Sequence, residues 1–133
     1  MKKLTINFAI GLLLLAFATF ISAKTRPETL VTLEGQVVCS VCWDEADRAT
    51  TAYGNDADIQ CAIRCAKRNI PQALAVMSEK GVTLYILEPG KVKGKEWFDL
   101  IGKFVKVNGS MREAGDKKIV KVEAIEKVSP EKK

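Results

Sequence analysis

Apolar and polar positions alternate along three stretches of the chain with the two-residue period of half-buried β-strands. Leu30-Val31-Thr32-Leu33-Glu34-Gly35-Gln36-Val37-Val38 is rich in β-branched residues and runs straight into Cys39. A glycine inside such a run marks a bulge or a sharp coil. Val82-Thr83-Leu84-Tyr85-Ile86-Leu87 is a second strand. The third stretch is a hairpin: Phe104 to Glu113, a turn at Ala114-Gly115-Asp116, and a return strand from Lys118 to Val128. Within it Val105, Val107, Gly109 and Met111 alternate with Phe104, Lys106, Asn108 and Ser110, so one side is expected to be buried.

Between the first two strands the period lengthens to that of a helix. Asn55 or Asp56 is a fitting cap for a helix through Arg68, with Asp56 and Asp58 at its start and Lys67 and Arg68 at its end, as the helix dipole favours. On a 3.6-residue wheel Ile59, Ile63 and Ala66 share one face, and Cys61 and Cys65 share another that adjoins it through Ala62. Residues 43 to 55 read as polar and irregular, with a turn at Tyr53-Gly54-Asn55. Asn69-Ile70-Pro71 ends the helix, and Gln72 to Met77 reads as an apolar link into a turn at Glu79-Lys80-Gly81. Pro89-Gly90 opens a lysine-rich loop, and Glu96 to Ile101 forms one or two helical turns stopped by Gly102.

The N-terminus carries a different signal. Lys2 and Lys3 precede a short apolar core, Ile10 to Ala18, and Ser22-Ala23 supplies small residues where a signal peptidase would cut. The apolar run from Phe8 to Ile21 is shorter than the roughly 20 residues a spanning helix needs. The expected organisation is a signal peptide at 1–23, a flexible lead-in at 24–29, one domain at 30–128 and a charged tail at 129–133. Such a chain is periplasmic or secreted, with no stable membrane span once the signal is removed. The net charge of +5 falls to +3 without the two signal lysines. A small charge on a mixed surface excludes nucleic acid as the expected partner.

Export directs attention to sulfur. All four cysteines lie in one segment, as Cys39-Ser40-Val41-Cys42 and, eighteen residues later, Cys61-Ala62-Ile63-Arg64-Cys65. An even count in a small exported domain is read as a disulfide framework. On a helix, Cys61 and Cys65 have β-carbons about 5 to 6 Å apart, whereas a disulfide wants roughly 3.5 to 4.5 Å. The pairings left open are Cys39 with Cys61 and Cys42 with Cys65, or Cys39 with Cys65 and Cys42 with Cys61. Either closes loops of about twenty residues, for which a single bond contributes on the order of 3 kcal/mol and two bonds sharing nearly the same loop give less than twice that.

Two other chemistries fit the same residues. Four thiolates from Cys39, Cys42, Cys61 and Cys65 suit zinc or copper(I), at a spacing one residue longer than usual in the second pair. Alternatively, Cys39 and Cys42 form an exchangeable dithiol and Cys61 and Cys65 a relay pair, with Arg64 and Arg68 near enough to favour a thiolate. The chain has no histidine, the commonest general base and metal ligand, and neither cysteine pair is followed by the histidine of a haem attachment site.

Thr32 to Val38, Gly102 to Ser110 and Ile119 to Ile125 resemble the first and last strands of small bacterial exported OB-fold-like proteins. In that group a glycine inside each long strand lets it serve two sheets of the barrel, and Gly35 and Gly109 match it. Cys61-Ala62-Ile63-Arg64-Cys65 with Ile70-Pro71 is similar to a segment of exported proteins of that shape, which often carry a histidine before the helical pair. The resemblance implies an α+β domain that is mainly β: a small OB-like barrel with helical insertions and one helix linked to the first strand.

Other residues add less. Asp44, Glu45 and Asp47 beside Trp43 suggest either an acidic ligand site or a solvated loop, and Tyr53, Trp97 and Phe98 read as core or edge residues. Lys91, Lys93 and Lys95 form a solubilising loop, and there is no Ser-His-Asp, paired-carboxylate or phosphate-loop arrangement. The expected function is that of a disulfide-stabilised binding or accessory module, with a protein or small molecule as partner, and not an enzyme. The alternative is a periplasmic thiol-disulfide exchange or metal-handling protein.

Overall fold

A computed structural model of the chain describes residues 27–48, 50–92 and 94–129. The expected signal peptide lies outside the described residues, as do Lys93 and residues 130–133 of the expected tail. No helix among the described residues is long and apolar enough to cross a membrane.

Five strands close into a barrel in the order β1-β2-β3-β5-β4, with β4 returning to β1. They are β1 (Thr29–Cys39), β2 (Gln72–Ser78), β3 (Gly81–Glu88), β4 (Phe104–Ala114) and β5 (Lys117–Lys127). All neighbours are antiparallel except β3 and β5, which run parallel. Among the described residues, α1 (Asp56–Lys67) and α2 (Gly94–Asp99) interrupt them, and a 3-10 turn spans Cys42–Glu45. This mainly β architecture is consistent with the small OB-like barrel expected above.

Closure depends on β1 changing partners. From Thr29 to Gln36 it pairs with β4, and from Gln36 to Cys39 it pairs with β2. Gly35 sits at the changeover, where a Cβ would run into the Ala75 carbonyl and lie 3.1 Å from the Leu74 side chain. Gly109 marks a register shift between β4 and β5, and a Cβ there would strike the Lys121 carbonyl. Only a residue without a side chain lets the strands approach so closely at these bends.

Val37, Leu74, Leu87, Val105, Val107, Val120 and Val122 fill the barrel, and Trp97 and Leu100 from α2 and the residue after it pack onto the same cluster. The segment Gln72 to Met77, expected to be an apolar link, is strand β2. Its period-two signal is lost because both faces are covered: Leu74 joins the interior, while Ala73 and Ala75 pack with Tyr53, Trp43, Leu84 and Ile86. The loop after Cys42 therefore roofs β2 from outside, and small alanines leave room for it. The lead-in is also shorter than expected, since Thr29 already belongs to β1.

Replacing Gly35 with Ala is expected to lower the unfolding free energy by about 1–3 kcal/mol. A urea midpoint at the wild-type value would contradict the close approach of β1 and β2.

Candidate functional site: a four-sulfur centre at the end of β1

The sulfurs converge because two local structures end at the same place. Cys39 is the last residue of β1, opposite Gln72 of β2, and both lie at the end of the barrel. The chain then turns through Ser40 and Val41 into the 3-10 turn that begins at Cys42. On the other side is α1, capped by Asn55, whose side chain accepts the Asp58 N–H at 2.9 Å. It closes at Asn69, which has a left-handed φ of 61°, while the Asn69 and Ile70 N–H groups return to the carbonyls of Ala66 and Cys65. The helix is seated on Ala62, which is fully buried, with Ile59, Cys61, Ile63 and Cys65 half-buried around it. The seam thus runs through the residue that joins the two expected faces.

Cys42 is the hub. Its Sγ lies 2.8 Å from that of Cys61 and 3.8 Å from that of Cys65. Its N–H donates to Cys39 Sγ at 3.5 Å. The sulfurs of Cys39, Cys42 and Cys65 all lie within 4.8 Å of one another, and so do those of Cys42 and Cys61 with a Glu45 carboxylate oxygen. All four cysteines are free thiols, with no pair at the roughly 2.05 Å of a disulfide bond. The sulfur contacts of α1 run to Cys42 in the turn that follows β1, and α1 also packs against Cys39, Ile101 and Phe98.

Electrostatically the thiols are unequal. Burial pushes the Cys42 thiol far up, and its contacts with Cys61, Cys39 and Cys65 push it further. Burial raises Cys65 too, followed by its contact with Cys39. Cys39 goes the other way: burial opposes its ionisation, but the Cys42 backbone N–H, the Cys42 thiol and the Val41 N–H together hold it below the usual cysteine range. Cys39 therefore gives up its proton more readily than Cys42 or Cys65.

A second tier fixes this geometry. Arg48 donates to the carbonyls of Trp43 at 2.9 Å and Cys42 at 3.1 Å, and pairs with Asp58 of α1 at 3.2 Å. Its guanidinium lies over the rings of Trp43 and Tyr53. The Tyr53 hydroxyl accepts the Cys39 N–H at 3.0 Å, and burial first of all pushes its pKa up to about 12. Arg48 thereby ties the cysteine turn to the helix that carries the other two sulfurs. Sequence reading passed over Arg48, which sits in a loop that looked solvated; its only signal was the neighbouring aromatic and acidic residues.

The remaining candidates divide. Trp43 is half-buried on Tyr53, while Asp44, Glu45 and Asp47 are exposed, so the tryptophan belongs to the roof of β2 and the acids to its rim. Arg64 and Arg68 are exposed. Tyr53 and Trp97 are buried, as expected of core residues.

A cleft of about 400 Å³ lies between the end of α1, the start of β2, the end of β3 and α2, with none of the four cysteines in its lining. Ile70, Pro71, Leu87, Trp97 and Phe98 make it mostly apolar. Gln72 also lines it and is 1% exposed. Its Nε2 donates to the Ile70 carbonyl at 3.3 Å, and its Oε1 has no protein partner.

No protein-family model matches this chain, and no curated protein matches it.

The Asp58 carboxyl offers a pH test. Burial works against its ionisation, but the Gly54 N–H and the Arg48 guanidinium hold it below the usual carboxylate range. A folded-state pKa below the unfolded one gives stability that is complete above about pH 4 and is lost as the pH falls through the folded value. Asp58→Asn is expected to lower stability at neutral pH and to flatten the acid limb of a urea-midpoint profile below about pH 4. An unchanged acid limb would contradict the Arg48–Asp58 tie.

Proposed function

We propose that this chain is an exported barrel domain that works as a binding or accessory module, with two disulfides, Cys42–Cys61 and Cys39–Cys65, fastening α1 to the end of β1. The cleft between α1, β2, β3 and α2 carries the binding reading. Its volume and mostly apolar walls fall in the range of small-molecule sites, and such sites add a few polar groups for orientation. Gln72 Oε1 is a buried acceptor without a protein partner, and leaving such a group unpaired is costly. The ligand class that fits is a small molecule with an apolar body and one hydrogen-bond donor.

The convergence of the sulfurs supports the fastener. Of the two pairings compatible with the helix, the approach of Cys42 to Cys61 at 2.8 Å favours one. That choice leaves Cys39 with Cys65, whose sulfurs are within 4.8 Å. Exchange with another protein is disfavoured, because an attacking thiolate needs access. Cys39 and Cys42 are 0% and 3% exposed.

Two measurements test this reading. Tandem mass spectrometry of unreduced, digested protein from the periplasm is expected to find Cys42–Cys61 and Cys39–Cys65; a single, easily reduced Cys39–Cys42 bond would overturn the fastener. Titration of labelled protein with indole or small aliphatic alcohols, followed by NMR, is expected to shift the amides of Ala66, Ile70 and Leu87 and the Trp97 indole. Shifts scattered away from the cleft, or none at all, would overturn the binding site.

A further inference from the structure

We propose that the same four sulfurs, when reduced, form a closed binding site for a single zinc ion, with Cys39 and Cys42 as one pair of ligands and Cys61 and Cys65 as the other. The inference rests on the reading of this cluster as an internal fastener between β1 and α1. It does not rest on export or on the disulfides.

Distance is the first argument. Four thiolates about 2.3 Å from a tetrahedral zinc ion lie about 3.8 Å from one another. Cys42 and Cys65 have that separation, 3.8 Å. Cys39 completes a triangle with them inside 4.8 Å, and Cys61 touches the shared vertex at Cys42. Cys61 lies outside that triangle, so ligation by all four sulfurs requires its side chain to swing away from Cys42 and toward Cys39 and Cys65. An ion between the sulfurs also removes the crowding of Cys42 against Cys61.

The surroundings are those of a ligand set. The Cys42 N–H already points at Cys39 Sγ, as backbone donors around a ligating thiolate do. Arg48 holds the carbonyls of Cys42 and Trp43, and through Asp58 it sets the separation of the two halves. Metal sites held by such outer contacts need little rearrangement on binding. Tetrahedral sulfur ligation favours zinc among the divalent ions. With four ligands and two of them fully enclosed, no position is left for water or substrate, so the site is structural and not catalytic.

The chemistry balances without an oxidant. A zinc ion displaces the thiol protons, up to four, and the sulfurs stay at the oxidation level of thiolate throughout. Disulfides and zinc exclude each other, since each consumes the same sulfurs. One fold therefore has two ways to fasten the same helix.

The test uses the full chain, refolded without oxygen in the presence of reductant, and titrated with zinc alone. Native mass spectrometry is expected to find one zinc per chain. The metal should raise the melting temperature and protect the cysteines from alkylation. Cobalt(II) in place of zinc should give the visible absorption of a tetrahedral four-thiolate site. Cys65→Ser, at a half-buried position, should weaken zinc binding about tenfold or more, while Glu45→Gln leaves it unchanged.

If the reduced chain folds only after zinc is added, that too supports the site. Zinc that fails to bind the folded, reduced chain in a one-to-one ratio would overturn the proposal. A cobalt spectrum lacking four-thiolate character, or a loss of affinity in Glu45→Gln equal to that in Cys65→Ser, would overturn the assigned ligands. None of these results bears on whether protein taken from the periplasm carries the two disulfides, so the two readings fail separately.

Discussion

The contact of Cys42 with the sulfurs of α1 lies at the centre of the seam that joins two parts of the molecule. One part is a barrel with its own core of valines and leucines. The other is a twelve-residue helix of which only Ala62 is fully buried. Helices of that length are marginal on their own, and tertiary contacts must hold them. The apolar seam of α1 supplies some of this through Ile59 and Ile63. The sulfurs, together with the Arg48–Asp58 pair, supply the specific part, because they fix which turn of the helix faces the end of β1.

That constraint spreads outward in steps. Cys39 is held at the end of β1 by the ladder to Gln72 and by the Tyr53 hydroxyl. The turn after it is held by Arg48, and Arg48 by Asp58 of α1. Trp43 and Tyr53 are thereby held against the outer faces of Ala73 and Ala75. The cleft is a by-product of the same arrangement. It occupies the space left where the end of α1, with Asn69 and Ile70, turns away from the helix axis and back into β2.

Much of this was legible in the chain. The long strands and the C-terminal hairpin declare themselves by alternation, and Asn55 caps the helix at the expected place. Gly35 and Gly109 sit where strands approach closely, as a glycine inside a strand pattern implies. What escaped notice has one cause. From Gln72 to Ala75 the strand β2 is covered on both faces, so it carries no alternation there, and its alanines argue weakly for any structure. Arg48 escaped for a related reason: a residue that works by reaching two carbonyls and one carboxylate has no sequence pattern, since its partners are set by the fold. The four cysteines were legible as a group, but whether they join by disulfides or around an ion depends on a redox state that sequence does not encode.

The claim on which the rest turns is that sulfur holds α1 to the barrel. Hydrogen exchange, comparing the native chain with a variant in which all four cysteines are serine, measures this directly, because local opening is read amide by amide. The account predicts that the amides of α1 from Ile59 to Cys65 lose protection in the variant while those of Val37, Val105 and Val120 keep theirs. Equal protection of α1 in both proteins would contradict it.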